Sequence, residues 1–112
     1  ALRYIGTATS EGNTLRLGGN RARENSGGFY VEPTVFDAVQ PTHTLAKEEV
    51  FGPVLAVTRF KTPEEAIKIA NGTIYGLAAG LWTRDVSLAH RAARDLKAGL
   101  VWVNGWDACD IT

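Results

Sequence analysis

A strand passes directly into a helix at Val54-Leu55-Ala56-Val57-Thr58-Arg59-Phe60-Lys61-Thr62-Pro63-Glu64-Glu65. The run from Val54 to Phe60 favours a β-strand. Thr62 is a typical helix N-cap, Pro63 suits the first helical position, and Glu65 completes a capping box. An apolar face follows at helical spacing, and Asn71-Gly72 is a stop signal. The stretch therefore predicts a strand, a short turn and a helix of about eight residues.

The alternation of strand and helix continues downstream. Leu77 to Thr83 predicts a second strand, Asp85 caps a second helix that ends at Gly99, and Leu100 to Val103 predicts a third strand. Apolar strands that alternate with helices indicate parallel pairing with both faces covered. We therefore predict an α/β fold, a partial doubly wound and mostly parallel sheet with flanking helices. Its βαβαβ unit runs from about residue 54 to 104.

The upstream half predicts shorter elements. Apolar spacing in Ala1 to Glu11 indicates a helix, and the polar-apolar alternation of Thr14 to Leu17 indicates a half-exposed strand. The glycine-rich segment Gly18 to Gly28 predicts a loop. Two further β-favouring runs flank Pro33, which predicts a bend or an edge position. Gln40 to Ala46 predicts a turn, in which His43 has no assigned role.

Composition excludes several classes of protein. The chain has 112 residues, which is enough for one domain at most, and 45% of them are hydrophobic. Twelve basic residues balance twelve acidic ones, so no basic footprint predicts a nucleic-acid partner. No apolar run approaches the roughly 20 residues that span a bilayer, so we expect no membrane segment. The single cysteine, Cys109, excludes an internal disulfide and favours a cytoplasmic location.

Two polar and aromatic segments follow or precede predicted strands. The first is Glu48-Glu49-Val50-Phe51-Gly52-Pro53, whose Gly-Pro pair cannot continue a helix or strand. It is either a solvated turn or a turn that presents its acidic and aromatic groups to a ligand. The second is Asn104-Gly105-Trp106-Asp107, at the carboxyl end of the third strand, where ligands of such sheets bind. A simple capping turn is an equally good interpretation of this segment.

Four ordered motifs together resemble the aldehyde dehydrogenase superfamily. They are the segments 28–36 (GFYVEPTVF), 47–54 (KEEVFGPV), 75–85 (YGLAAGLWTRD) and 98–104 (AGLVWVN). The resemblance covers nearly the whole chain and keeps the family's order and spacing. It implies that residues 1–112 form the C-terminal part of an incomplete aldehyde dehydrogenase catalytic domain.

The resemblance also implies an activity and its cofactor. The family oxidises aldehydes to acids with NAD or NADP. By resemblance, Glu49 holds the hydroxyls of the nicotinamide ribose and Phe51 packs beside the nicotinamide ring. The chemistry agrees, because a carboxylate can accept two hydrogen bonds from a vicinal diol and a flat ring restrains a flat cofactor. We expect no tight cofactor binding by this chain alone, because other residues must hold the rest of the molecule.

No catalytic residue is assigned to this chain. In the family the nucleophilic cysteine, the general-base glutamate and the Rossmann part lie upstream of the segment that this sequence matches. Cys109 lacks a neighbouring histidine or helix N-terminus that would lower the pKa of its thiol, so we interpret it as a bystander. No metal site is predicted.

The last segment implies a substrate region. Trp106, Asp107 and Cys109 resemble the family's substrate-binding anchor loop, most closely that of γ-glutamyl-γ-aminobutyraldehyde dehydrogenases. Two carboxylates, Asp107 and Asp110, would favour an amino-bearing aldehyde. We expect a homo-oligomer. The alternative hypotheses are a stand-alone, non-catalytic remnant that folds and self-associates, and an unrelated doubly wound nucleotide-binding domain.

Overall fold

The computed structural model describes residues 1–107, which divide into two compact units at Arg59 and Phe60. The first unit contains helices α1 (Leu2–Ser10) and α2 (Thr44–Lys47). Its strands are β1 (Thr14–Leu17), β2 (Arg21–Ala22), β3 (Tyr30–Val31), β4 (Thr34–Asp37) and β5 (Val54–Ala56), with a 3₁₀ turn at Glu24–Ser26. The second unit contains α3 (Pro63–Ala70), β6 (Ala78–Leu81), α4 (Val86–Asp95) and β7 (Leu100–Val103).

A three-stranded mixed sheet forms the centre of the first unit. Its order is β1-β4-β5, with β1 antiparallel to β4 and β5 parallel to it. Strands β2 and β3 form a separate antiparallel pair. Pro33 lies between β3 and β4, so the predicted interruption of the two β-favouring runs at this proline is confirmed. β4 is nevertheless the central strand of its sheet rather than an edge, because the proline precedes the strand and removes no ladder hydrogen bond.

One hydrophobic cluster holds the first unit together. Its buried apolar residues come from α1, β4, α2 and the segment just after β4: Ile5, Ala8, Phe36, Val39 and Leu45. Phe36 is completely buried at the centre of β4. Burial of a phenylalanine removes a large apolar area from water, so this residue is the main packing anchor of the unit.

The second unit pairs β6 with β7 in parallel, in the register Ala78↔Leu100 to Leu81↔Val103. Helix α4 joins these two strands and packs on both of them, and α3 packs on α4. Thr62 accepts a hydrogen bond from the Glu65 amide, and Asp85 accepts one from the Leu88 amide. Both predicted N-caps are confirmed.

The predicted α/β class is confirmed, but the strands pair differently from one continuous sheet. The βαβαβ order from Val54 to Val103 is present along the chain. However, β5 pairs with β4 in the first unit, and β6 pairs with β7 in a two-stranded sheet of the second. Strand β5 ends at Ala56, earlier than predicted, and β6 and β7 are only half-buried rather than fully buried.

Two segments of the first unit contain more regular structure than predicted. The glycine-rich segment 18–28 contains β2 and the 3₁₀ turn, and the turn predicted over 40–46 contains the start of α2. Both depend on residues distant in the chain. β2 needs β3 as its partner, and the N-terminus of α2 is capped by Glu11, 33 residues upstream.

Among residues 1–107, no helix is both long and apolar enough to cross a membrane. Within the same residues, histidine, cysteine and carboxylate side chains do not gather in threes or more where they could hold a metal ion.

Candidate functional site

The acidic and aromatic turn between α2 and β5 is exposed to solvent and anchored at Val50. Val50 packs partly against the core cluster of the first unit, while its neighbours Glu49 and Phe51 are exposed. Phe51 is 90% exposed, which is unusual for an aromatic residue beside a packed core. Anchoring the middle residue therefore directs both flanking side chains outward.

The backbone of this turn is strained at Phe51. Its φ of 46° lies in the left-handed region, which disfavours residues other than glycine by roughly 1–2 kcal/mol. Downstream, the Val54 amide donates to the Gly52 carbonyl at 2.7 Å, and the Thr34 amide of β4 donates to the Pro53 carbonyl at 2.8 Å. The end of the turn is thus fastened to the central strand. Strain that persists in this way is typical of binding sites.

A concave surface that encloses a volume of about 330 Å³ lies beside the turn. Its lining combines the two carboxylates with apolar groups of α2, the turn and β5: Leu45, Glu48, Glu49, Val50, Phe51, Gly52, Val54 and Ala56. A carboxylate next to apolar walls suits a ligand with hydroxyl donors and a flat hydrophobic face. The two residues predicted to contact the cofactor therefore line one surface.

Helix α1 supports the same turn, which sequence reasoning missed. The Tyr4 hydroxyl donates a 2.8 Å hydrogen bond to Oε2 of Glu48. At the other end of α2, the Glu11 carboxylate accepts hydrogen bonds from the Thr44 amide and from its hydroxyl, the latter at 2.6 Å. These bonds lower the pKa of Glu11. No local sequence signal marks these partners, because they are more than 30 residues apart.

His43, which received no role from the sequence, also joins this support. Its Nδ1 lies 2.7 Å from Oδ1 of Asn13, and the Asn13 amide group donates to the Ala8 carbonyl at the end of α1. Both side chains are at least half-buried. The histidine therefore has a structural position between α1 and α2.

The predicted substrate residues Trp106 and Asp107 belong to the second unit. Both are exposed in the turn after β7. The centroids of the Trp106 and Trp102 rings lie 4.8 Å apart. The Trp106 ring also covers Gly80, where an added Cβ would lie 2.9 Å from Cε3 of Trp106. A larger residue at position 80 would therefore displace the indole of Trp106. Cys109 and Asp110 lie outside the described residues.

Asn104 clamps the start of this turn. Its Oδ1 accepts from the Thr83 amide at 2.8 Å, and its Nδ2 donates to the Thr83 carbonyl at 2.9 Å. The side chain thereby extends the β6–β7 ladder by one step, and its own φ of 54° turns the chain away from the sheet. The Asn104-Gly105 dipeptide is a turn signal, so the turn could be predicted, whereas the clamp on Thr83 could not.

An α/β chain with an exposed acidic and aromatic turn is what resemblance to aldehyde dehydrogenases implied. The whole chain, residues 1–112, matches the aldehyde dehydrogenase family, and the protein belongs to that family.

The relatives agree in sequence and in structure. The chain is 48% identical over 110 residues to an aldehyde dehydrogenase of Vibrio cholerae serotype O1, a match that covers 96% of the chain and 22% of the relative. It is 52% identical to the indole-3-acetaldehyde dehydrogenase AldA of P. syringae in complex with NAD+ and IAA, with a TM-score of 0.97, and covers 99% and 22% of the two chains. The chain is also 51% identical to the aldehyde dehydrogenase KauB of Pseudomonas aeruginosa, with a TM-score of 0.97, and the match covers 99% of this chain and 22% of KauB. The chain thus spans about a fifth of the length of these relatives.

Proposed function

We propose that this chain contributes the nicotinamide-side contacts of an NAD(P)-dependent aldehyde dehydrogenase that oxidises an aldehyde to its acid. The observation that carries the proposal is the turn between α2 and β5, where Glu49 and Phe51 are both exposed beside one concave surface. The P. syringae relative of known structure contains NAD+, which supports NAD as the cofactor.

The residues present fit this part of the cofactor. The exposed carboxylate of Glu49 can accept hydrogen bonds from both hydroxyls of a ribose. Phe51 offers a ring that is 90% exposed and held by a restrained backbone, so a flat heterocycle can pack against it with little further ordering. The bound cofactor would supply the hydride acceptor. The role of this chain would be to orient it, and orientation is a large part of catalysis between two bound reactants.

A chimera provides the test. Residues 1–112 would replace the matching segment of the Vibrio cholerae relative, and NAD-dependent aldehyde oxidation would be measured. We expect Glu49→Gln to raise KM for NAD by about tenfold, since hydrogen bonds to a charged group contribute about 1.5–3 kcal/mol. We expect Phe51→Ala to lower kcat by about tenfold, because the ring restrains cofactor orientation.

Matched controls separate a local from a general effect. Phe29→Ala removes a phenylalanine that is 96% exposed and lies outside the turn, and Glu64→Gln neutralises an exposed glutamate of α3. Both should leave the kinetic constants unchanged. If the chimera is active and Glu49→Gln and Phe51→Ala behave like these controls, the proposed role of the turn is wrong. The 112-residue chain alone should form no NADH; formation of NADH would make Cys109 its only possible cysteine nucleophile.

An amino-aldehyde remains the proposed substrate. Exposed Trp106 lies next to the exposed carboxylate of Asp107, and an ammonium group is attracted both to a carboxylate and to an aromatic face. In the chimera, Asp107→Asn and Asp110→Asn should each raise KM for an amino-aldehyde by about fivefold, since an exposed ion pair contributes up to about 1 kcal/mol. An equal rise for an uncharged aliphatic aldehyde would contradict this specificity.

A non-catalytic, self-associating chain is the second candidate. It is favoured by the large apolar side chains that the second unit exposes, among them Ile74, Leu77 and Trp82. We propose a homo-oligomer under either function, so light scattering of the chain at micromolar concentration should give at least a dimer mass. An inactive chimera that is correctly folded by circular dichroism would favour this candidate. The proposed cytoplasmic location can be tested by cell fractionation.

A further inference from the structure

The turn that carries Glu49 and Phe51 has little regular structure of its own. The six residues from Glu48 to Pro53 lie between α2 and β5 in neither helix nor strand. Phe51 is held in the left-handed region, which an unsupported peptide seldom adopts for a phenylalanine. The contacts of Gly52 and Pro53 described above restrain only the downstream end. The upstream end needs a separate support.

Helix α1 provides that support through Tyr4. The Tyr4 ring packs partly against the core cluster, so the position of its hydroxyl is set by the core. The hydroxyl donates to the carboxylate of Glu48 at 2.8 Å, across 44 residues of sequence. A hydrogen bond to a carboxylate is stronger than one between neutral groups, and partial packing of the Tyr4 ring limits the entropy that its hydroxyl loses in forming it.

Glu48 is well placed to transmit this restraint. It is the C-cap residue directly after α2, its amide donates to the Thr44 carbonyl at 2.9 Å, and its backbone is extended. It immediately precedes Glu49 and lies three residues before Phe51. At the N-terminal end of α2, the carboxylate of Glu11, the residue that directly follows α1, accepts hydrogen bonds from Thr44. Movement at Glu48 would therefore displace the two groups that are proposed to meet the cofactor.

We propose that Tyr4 and Glu48 form a positioning pair, which holds the Glu49–Phe51 turn in the geometry that receives the nicotinamide end of the cofactor. Tyr4 is not among the residues that line the concave surface, whereas Glu48 is; we assign the pair a positioning role, which it exerts through the backbone of the turn. This inference rests on the proposed function for its kinetic consequence, while its structural consequence can be measured without any cofactor.

The structural arm uses the full 112-residue chain and ¹⁵N relaxation. We expect amide order parameters of residues 49–52 near 0.85, falling below about 0.6 in Tyr4→Phe, which removes only the hydroxyl. Glu48→Ala should give the same loss, and the double variant should lose no more than either single one, because all three lack the same bond. Glu48→Gln keeps an acceptor oxygen and should restore most of the order. Tyr30→Phe, on β3, is the matched control and should leave these amides unchanged.

The kinetic arm uses the chimera. Tyr4→Phe should raise KM for NAD by about fivefold, the effect of losing about 1 kcal/mol of hydrogen-bond restraint, with KM for the aldehyde unchanged. A purely structural role would alter both constants or neither.

The two arms keep the inference separate from the proposed function. Unchanged order parameters in both Tyr4→Phe and Glu48→Ala would overturn the positioning pair. An unchanged KM for NAD in Tyr4→Phe would also overturn it, provided that Glu49→Gln raises that constant in the same chimera. If Glu49→Gln itself has no effect, the proposed cofactor role fails and the relaxation data alone decide the inference. If Tyr4→Phe does not fold, the same measurements are made on Glu48→Ala, which removes the same hydrogen bond from the other side.

Discussion

The two units of this chain bury very different side chains. The first unit, residues 1–59, buries Phe36 and Val39 almost completely in one cluster. In the described part of the second unit, from residue 60 to 107, the buried apolar residues are two alanines, Ala89 and Ala92. Large side chains supply most of the hydrophobic free energy of a core. The first unit therefore has a hydrophobic core of its own. The second unit depends more on local hydrogen bonds, such as those of its helix N-caps.

The difference matters for the candidate site. The turn with Glu49 and Phe51 extends from a unit with a buried core, and Val50 of the turn packs against that core. The position of the turn is therefore set by packing. The turn with Trp106 and Asp107 extends from a two-stranded sheet that is half-exposed. The start of this turn is held by the two hydrogen bonds between Asn104 and Thr83 rather than by burial.

The largest effect is expected from Phe36→Ala. This change removes a fully buried ring from the centre of β4 and should lower the free energy of unfolding of the first unit by about 3–5 kcal/mol. Native-state hydrogen exchange of the β4 amides would measure it. Phe29→Ala, at a position 96% exposed, should change the same quantity by less than about 0.5 kcal/mol. A small loss in Phe36→Ala would remove the contrast between the units.

A smaller, pH-dependent effect is expected at Asp37. Its carboxylate accepts hydrogen bonds from Arg59 at 2.7 Å, from the Ala38 amide at 2.7 Å and from Arg16 at 3.2 Å. The bond from Arg59 above all holds the pKa of Asp37 well below its usual range. A folded-state pKa below the unfolded value of about 3.9 stabilises the protein above that pH, and this stabilisation is lost as the pH falls below it.

Acid titration of Asp37→Asn would measure this contribution. The variant should be less stable than the parent chain at pH 7, and the difference should shrink as the pH falls from about 5 towards 2. Asp95→Asn is the comparison in the second unit, where the carboxylate pairs with its exposed neighbour Arg94 at 2.8 Å. Because water screens that pair, its pH dependence should be weaker. Equal pH dependence in the two variants would contradict the assignment.

Loss of an N-cap tests the reliance of the second unit on local signals. Thr62→Ala and Asp85→Ala each remove the side-chain acceptor at the start of a helix and should lower the free energy of unfolding by about 1 kcal/mol. Hydrogen exchange of the α3 and α4 amides would report the loss. Ser87→Ala, at an exposed position of α4, serves as the control. A loss of only a few tenths of a kcal/mol at both caps would mean that packing dominates here as well.

The smallest effect is expected from Leu77→Ser. Leu77 is 87% exposed before β6, so at a protein concentration where the chain is monomeric a polar residue should change the free energy of unfolding by less than about 0.5 kcal/mol. Chemical denaturation at two protein concentrations would measure it. A loss above about 2 kcal/mol that grows with concentration would show that a second copy covers this surface, in agreement with the proposed homo-oligomer.

Much of the fold could be predicted because its signals are local. The N-caps at Thr62 and Asp85 and the strand at Thr14–Leu17 all appear where the sequence places them. Each has a signal within a few residues, either a capping side chain or polar-apolar alternation, although the strand at Thr14–Leu17 pairs with the distant β4. The start of α2 at Thr44 could not be predicted in this way, because its cap is Glu11 of another element.

The candidate site divides along the same line. Glu49 and Phe51 are predicted from a motif, and the order of four motifs predicted the aldehyde dehydrogenase family, to which the chain belongs. The left-handed backbone at Phe51 and the bond from Tyr4 to Glu48 had no signal in the sequence. Local propensities and motifs depend on near neighbours and are readable from the chain itself. The central position of β4 and the support of the turn arise only when distant segments are brought together by burial of Phe36 and its neighbours.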